Sequence, residues 1–130
     1  MERVVDLDDA AARITARSPR WCAAGLTVGP LTWRDGLAPW PQPLETDRTR
    51  VGDPDSVGLR LSDPLTGGEL HVVLFRGGWA DVDYLAAGWE EMAATAEEHE
   101  VGGAIPAQGI TSAADFEARL IGWMGDVFGG

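Results

Sequence analysis

Asp81 and Asp83 form a pair of carboxylates whose spacing argues for shared chemistry in this 130-residue chain. Two positions apart in a run rich in strand formers, they point to one face of a strand, about 7 Å from each other. Carboxylates placed in this way can pass a proton, hold a metal or meet a cation on another molecule. Arg60 and Arg76 are close enough in the expected sheet to neutralise them instead. No histidine or further carboxylate visibly converges on the pair, so neither a metal nor a cofactor is expected. The two histidines add little. His71 reads as a hydrogen-bonded structural residue on the inward face, and His99, among Glu97, Glu98 and Glu100, as part of a solvated surface. Neither stands in a motif with Cys22 or a serine, and G-x-S-x-G, the Walker loop, G-x-G-x-x-G and H-E-x-x-H are all missing. Cys22, the lone cysteine, leaves no internal disulfide or cysteine-based zinc site and reads as a small half-buried thiol. The expectation is a protein that is not an enzyme.

The element that must position the acidic pair is E-L-H-V-V-L-F-R-G-G-W-A-D-V-D-Y-L, Glu69 to Leu85. Two runs of strand formers flank Gly77-Gly78, and a two-residue glycine turn is sterically free. That turn sets Arg76 against Trp79, Phe75 against Ala80, Leu74 against Asp81, Val72 against Asp83 and His71 against Tyr84. Phe75, Val73, Ala80, Val82 and Tyr84 then share a core face. Leu74 and Val72 lie on the other face beside Asp81 and Asp83, with Trp79 and Arg76 at the turn.

Around this hairpin the remaining segments follow from periodicity. Asp6 to Ser18 predicts a helix capped by Asp6, with Leu7, Ala10, Ala11 and Ile14 inward and Pro19 as its stop. Leu26, Val28, Leu31 and Trp33 alternate as a strand interrupted by Gly29 and Pro30, and Asp35-Gly36 marks a turn. Three prolines keep Ala38 to Pro43 extended, with Trp40 pinning that loop over the core. Asp53-Pro54-Asp55 reads as a turn, Ser56 to Ser62 as a half-buried strand, and three consecutive strands as an antiparallel meander. Residues 86 to 101 read as a helix with Trp89, Met92, Ala93 and Ala96 on its apolar side, against a strand at 96 to 101 that extends the sheet, and 102 to 109 as a loop. Ser112 to Asp115 opens a last helix whose Phe116, Leu120, Trp123, Met124, Val127 and Phe128 cover the sheet. The whole is a single α+β domain over residues 1 to 130, an antiparallel β-meander of about four strands packed on an N-terminal and a C-terminal helix.

A net charge of −11 excludes nucleic acid and anionic membranes as partners and favours a basic protein. No apolar run reaches the length of a membrane span, and the acids at the N-terminus do not fit a signal peptide, so a cytoplasmic location is expected. Every basic residue is arginine, and neither lysine nor asparagine occurs, which fits codon bias in a GC-rich bacterial genome. The charge is also uneven. Between Gly77 and Ala118 there is no arginine against nine acids: Asp81, Asp83, Glu90, Glu91, Glu97, Glu98, Glu100, Asp115 and Glu117. Trp79 and Trp89 fall inside that stretch, and large aromatics beside charge are common interface anchors. The expected partner-binding set is therefore Trp79, Asp81, Asp83, Trp89, Glu90, Glu91, Glu97, Glu98 and Glu100.

The strand G-G-W-A-D-V-D-Y-L, followed later by I-T-S-A-A-D-F-E-A-R-L-I in a small acidic α+β chain, is similar to immunity proteins of bacterial polymorphic-toxin systems. The resemblance spans roughly residues 56 to 128 and rests on general pattern. It implies a non-catalytic inhibitor that pairs with a cognate toxin domain and blocks its active surface. A nuclease suits the charge, because carboxylates can occupy a cleft built for phosphate. Two other readings stand beside it. One is a small-ligand or enzymatic domain using the Asp81/Asp83 face. The other is a self-associating subunit, a weak homodimer in place of a monomer.

Overall fold

Asp6 opens the first helix by accepting the amide N–H of Asp9 at 3.1 Å, and Asp8 and Asp9 complement the positive end of the helix dipole. A computed structural model describes residues 2–89 and 101–129, and in it α1 runs Leu7–Ala23. Pro19 lies inside α1 and does not end it, contrary to the sequence expectation. The missing proline N–H is outweighed by tertiary burial, since the helix must continue to bring Trp21 into the core. The actual stop is Gly25, left-handed at φ +98°. Its N–H reaches the Cys22 carbonyl and that of Leu26 the Trp21 carbonyl, which satisfies the last free oxygens. Cys22 is exposed, not half-buried as expected.

The sheet is antiparallel and holds β1 (Thr27–Val28), β2 (Thr32–Asp35), β3 (Pro54–Ser62), β4 (Glu69–Phe75), β5 (Trp79–Leu85) and β6 (Gly102–Ala104). The order is β1-β3-β4-β5-β6, with β2 also on β3, so the expected meander forms the centre. Two readings of the flanks are corrected. Asp53-Pro54-Asp55 is not a free turn, because β3 begins at Pro54 and a bulge opposite Arg34 and Asp35 absorbs Asp55. Residues 102–104, expected as loop, pair with Leu85, Tyr84 and Asp83. Hydrogen bonds from Ile105 to Val82 and from Ala80 to Ala107 continue that ladder to Ala107. Pro106 fits there because an edge position needs no outward N–H.

The central hairpin is offset by one residue from the sequence expectation. Phe75, not Arg76, faces Trp79; Leu74 faces Ala80, Val72 faces Val82 and His71 faces Asp83. The loop has three residues, Arg76-Gly77-Gly78, with Gly78 at φ +93°. Three contacts draw Arg76 out of the strand. Its carbonyl accepts the N–H groups of Val4 and Val5, and its own N–H donates to Asp55. Gly78 is required twice over, since a Cβ there would meet the Ile110 carbonyl oxygen at 2.6 Å and the backbone is left-handed. In consequence Leu70, Val72 and Leu74 turn inward with Ala80 and Val82, and Val73, Phe75 and His71 turn outward.

The inward face meets α1 and α2 (Ala113–Phe128), the two long α-helices among the described residues. Ser112 caps α2 by accepting the Asp115 N–H at 3.0 Å, as its sequence implied. Phe116, Leu120, Trp123 and Val127 are buried on the sheet side, each such side chain contributing roughly 1.5–3 kcal/mol by leaving water. Gly122 lies on the exposed side with nothing within 4 Å of an added Cβ. Gly122→Ala is therefore expected to stabilise the protein by about 0.8–1 kcal/mol, read as a higher urea midpoint with unchanged slope. A lower midpoint would mean the position is not helical. Among the described residues, no helix is long and apolar enough to cross a membrane.

Candidate functional site: the open face of the sheet

With both helices on one side, the opposite side of β2 to β5 carries the chemistry. Across its turn end, Arg34, Ser56, Phe75 and Trp79 are neighbours on successive strands; next come Thr32, Gly58, Val73 and Asp81; then Arg60, His71 and Asp83. Phe75 and Trp79 stack with centroids 3.9 Å apart and planes 11° from parallel. Small Ser56 lets Arg34 reach across, so that its guanidinium lies 5.5 Å from the Phe75 ring centre and 5.7 Å from that of Trp40. The buried Asp55 receives that guanidinium with both oxygens, at 2.8 Å, 2.8 Å and 3.0 Å. Trp40 does not pin its loop over the core, because it is 71% exposed. What fixes the loop is Gln42, which accepts the Asp35 N–H and donates to the Asp35 carbonyl. The Asp35 carboxylate in turn takes the N–H groups of Leu37, Gly52 and Asp53, which hold it below the usual carboxylate range.

The carboxylates divide by partner. Among the described residues, eight of the ten arginines form salt bridges to seven acids. Asp115 and Glu117, part of the acidic stretch in sequence, belong to this paired group. Asp115 meets Arg119, and Glu117 bridges Arg13 and Arg17 from α2 to α1. Arg76 turns to Asp53 at 2.8 Å, and Arg34 to Asp55. Asp81 and Asp83 are exposed, and among the described residues no side-chain hydrogen bond or salt bridge reaches either carboxylate. The arginines that could have neutralised them are held elsewhere, except Arg60, which is exposed two strands away with no salt bridge among the described residues.

Hydrogen bonds from Arg17 and then Arg13 hold Glu117 below its ordinary range, as Arg76 does for Asp53 and Arg48 for Asp8. The folded chain thus releases these protons at lower pH than the unfolded chain does. Their stabilisation is complete above the unfolded values, 3.8 for Asp and 4.5 for Glu, and is lost as pH falls through the lower folded values. Stability to urea is expected to decline below about pH 4.5, and Glu117→Gln to flatten that decline. An identical acid slope in the variant would remove Glu117 from the explanation.

Of the residues expected to meet a partner, Trp79, Asp81 and Asp83 lie together on the open face. Trp89 does not join them. Its indole N–H donates to the Gly67 carbonyl at 2.9 Å, at the opposite end of β4 and β5 from Trp79. Glu90, Glu91, Glu97, Glu98 and Glu100, with His99, lie outside the described residues. His71, expected inside against Tyr84, is on the open face beside Asp83 and Arg60. Sequence reasoning also missed Trp40, Phe75 and Val73 as members of this face. The bracketing prolines around Trp40 were a signal, since they make a stiff loop that can hold an aromatic away from the core.

Two concavities bear on function. A cavity of about 500 Å³ at the start of α1 is lined by Arg3, Asp6, Asp8, Arg48, Asp53 and Arg76. Its three arginines are already paired with Asp53 and Asp8, so its charge is balanced internally. A groove of about 290 Å³ follows β5 between Asp81 and Asp83 on one side and Ala104 to Gln108 on the other. That is the lower bound of small-molecule pockets, enough for an inserted side chain. Among the described residues, no three His, Cys, Asp or Glu side chains converge as a metal site. The arrangement offers an aromatic shelf with an acidic border, suited to receiving a cation. No family model, curated protein or solved structure matches the chain.

Proposed function

We propose that this is a non-catalytic inhibitory binding protein, of the kind its resemblance to immunity proteins implies. Its open sheet face docks on a basic partner such as a toxin or nuclease domain. One observation carries the reading: Asp81 and Asp83 stand exposed and unbridged among the described residues, beside Trp79 on one face, while Arg34 and Arg76 are held by Asp55 and Asp53. Leaving two adjacent like charges unneutralised on one face costs stability and favours encounter with positive charge. Trp79 beside them supplies the apolar contact area that charge alone lacks. The net charge of −11 opposes pairing of two copies through the same face. The test is to read the neighbouring reading frame for a basic toxin or nuclease domain, mix that domain with the protein and assay its activity. Stoichiometric loss of activity through a 1:1 complex is the expected result. Full activity at saturating protein contradicts the proposal.

A further inference from the structure

The open face already contains one guanidinium held between aromatic rings and a carboxylate. Arg34 lies over Phe75 and Trp40 and gives both its Nε and a terminal nitrogen to Asp55. Phe75 then stacks on Trp79, which carries the aromatic surface one strand further, to β5. Beyond β5 the ladder places Ala104 beside Asp83 and, through the bonds at Ile105 and Ala107, Pro106 beside Asp81. Neither neighbour has a side-chain donor, and both are small, which is why a groove of about 290 Å³ lies there with the two carboxylates along it.

We infer that the docking partner inserts an arginine, not a lysine, into this groove, stacked on Trp79 and received by Asp81 and Asp83. The inference rests on the docking proposed above and specifies what the face recognises. The groove has room for a side chain, and its charge selects a cation. The flat indole of Trp79, two residues before Asp81 on the same face of β5, selects a planar cation, because a guanidinium can stack and fork onto carboxylate oxygens where an ammonium acts as a point charge. Asp81 and Asp83 repeat at the two-residue period of an extended chain, so a partner segment with arginines at alternate positions could engage both.

Two capped Ser/Gly heptapeptides, one carrying Arg-Ser-Arg and one Lys-Ser-Lys, provide the probe, titrated at low salt and followed by backbone and indole N–H shifts. The arginine peptide is expected to move the Trp79 indole signal and the amides of residues 79–83 and 104–107, and to bind about threefold more tightly than the lysine peptide. Asp81→Asn with Asp83→Asn, both exposed, should abolish the response to either peptide. Trp79→Leu should erase the preference while leaving salt-dependent binding. Shifts centred elsewhere overturn the inference. Equal affinities overturn it too, and the partner then separates the two claims. If Asp81→Arg with Asp83→Arg still slows association with the full partner, docking stands without arginine selectivity. If association is unaffected, both fall.

Discussion

Val72→Asp is expected to unfold the protein, and Val73→Asp, one residue away, to leave it folded. Val72 is 1% exposed, between Leu59 and Val82 on the inward face. A carboxylate there has no partner and no water, a cost of about 4 kcal/mol or more against a total stability of about 5–15 kcal/mol. Val73 is half-buried on the open face, across from Asp81 on β5. A new acid there meets one like charge in reach of solvent and should cost about 1 kcal/mol. Circular dichroism with urea titration separates the two results. The reverse order would restore the two-residue glycine turn and place His71 and Asp83 on opposite faces.

Asp55→Ala is expected to cost about 3 kcal/mol, the loss typical of removing one member of a buried ion pair. Asp55 is 9% exposed, and three hydrogen bonds join it to Arg34. Without it a largely covered guanidinium is left between Phe75 and Trp40 with no acceptor. Replacing both, Arg34→Leu with Asp55→Leu, should be less damaging than Asp55→Ala alone, since no orphaned charge remains. A urea midpoint for Asp55→Ala within error of the unaltered protein would mean the pair is solvated and weak.

What could be read from the sequence was what depends on spacing within one segment. The terminal helix was legible because Ser112 and the recurrence from Phe116 to Val127 are local features, and the structure keeps both. Asp81 and Asp83 sharing a face was legible for the same reason, since alternation along β5 holds whatever register its neighbour adopts. His71 was not legible, because its face depends on the turn. That turn is decided by Val4, Val5 and Asp55 closing on Arg76 from segments distant in the chain. The passage of α1 through Pro19 depended on Trp21 finding a core made by other elements. Gly102 and Gly103 look like loop residues alone, and become strand because β5 supplies a ladder. Sign imbalance along the chain also overstated the acidic stretch, since Asp115 and Glu117 are answered by Arg119, Arg13 and Arg17.

Stopped-flow association with the basic partner proposed for this face, across a salt series, tests the open acidic face most directly. Reversing charge at Asp81 and Asp83 together should slow association by about tenfold at low salt and flatten its salt dependence. Reversing Asp126, an exposed acid on α2, should leave the rate nearly unchanged. Equal rates for the Asp81→Arg, Asp83→Arg variant and the unaltered protein would contradict docking through this face.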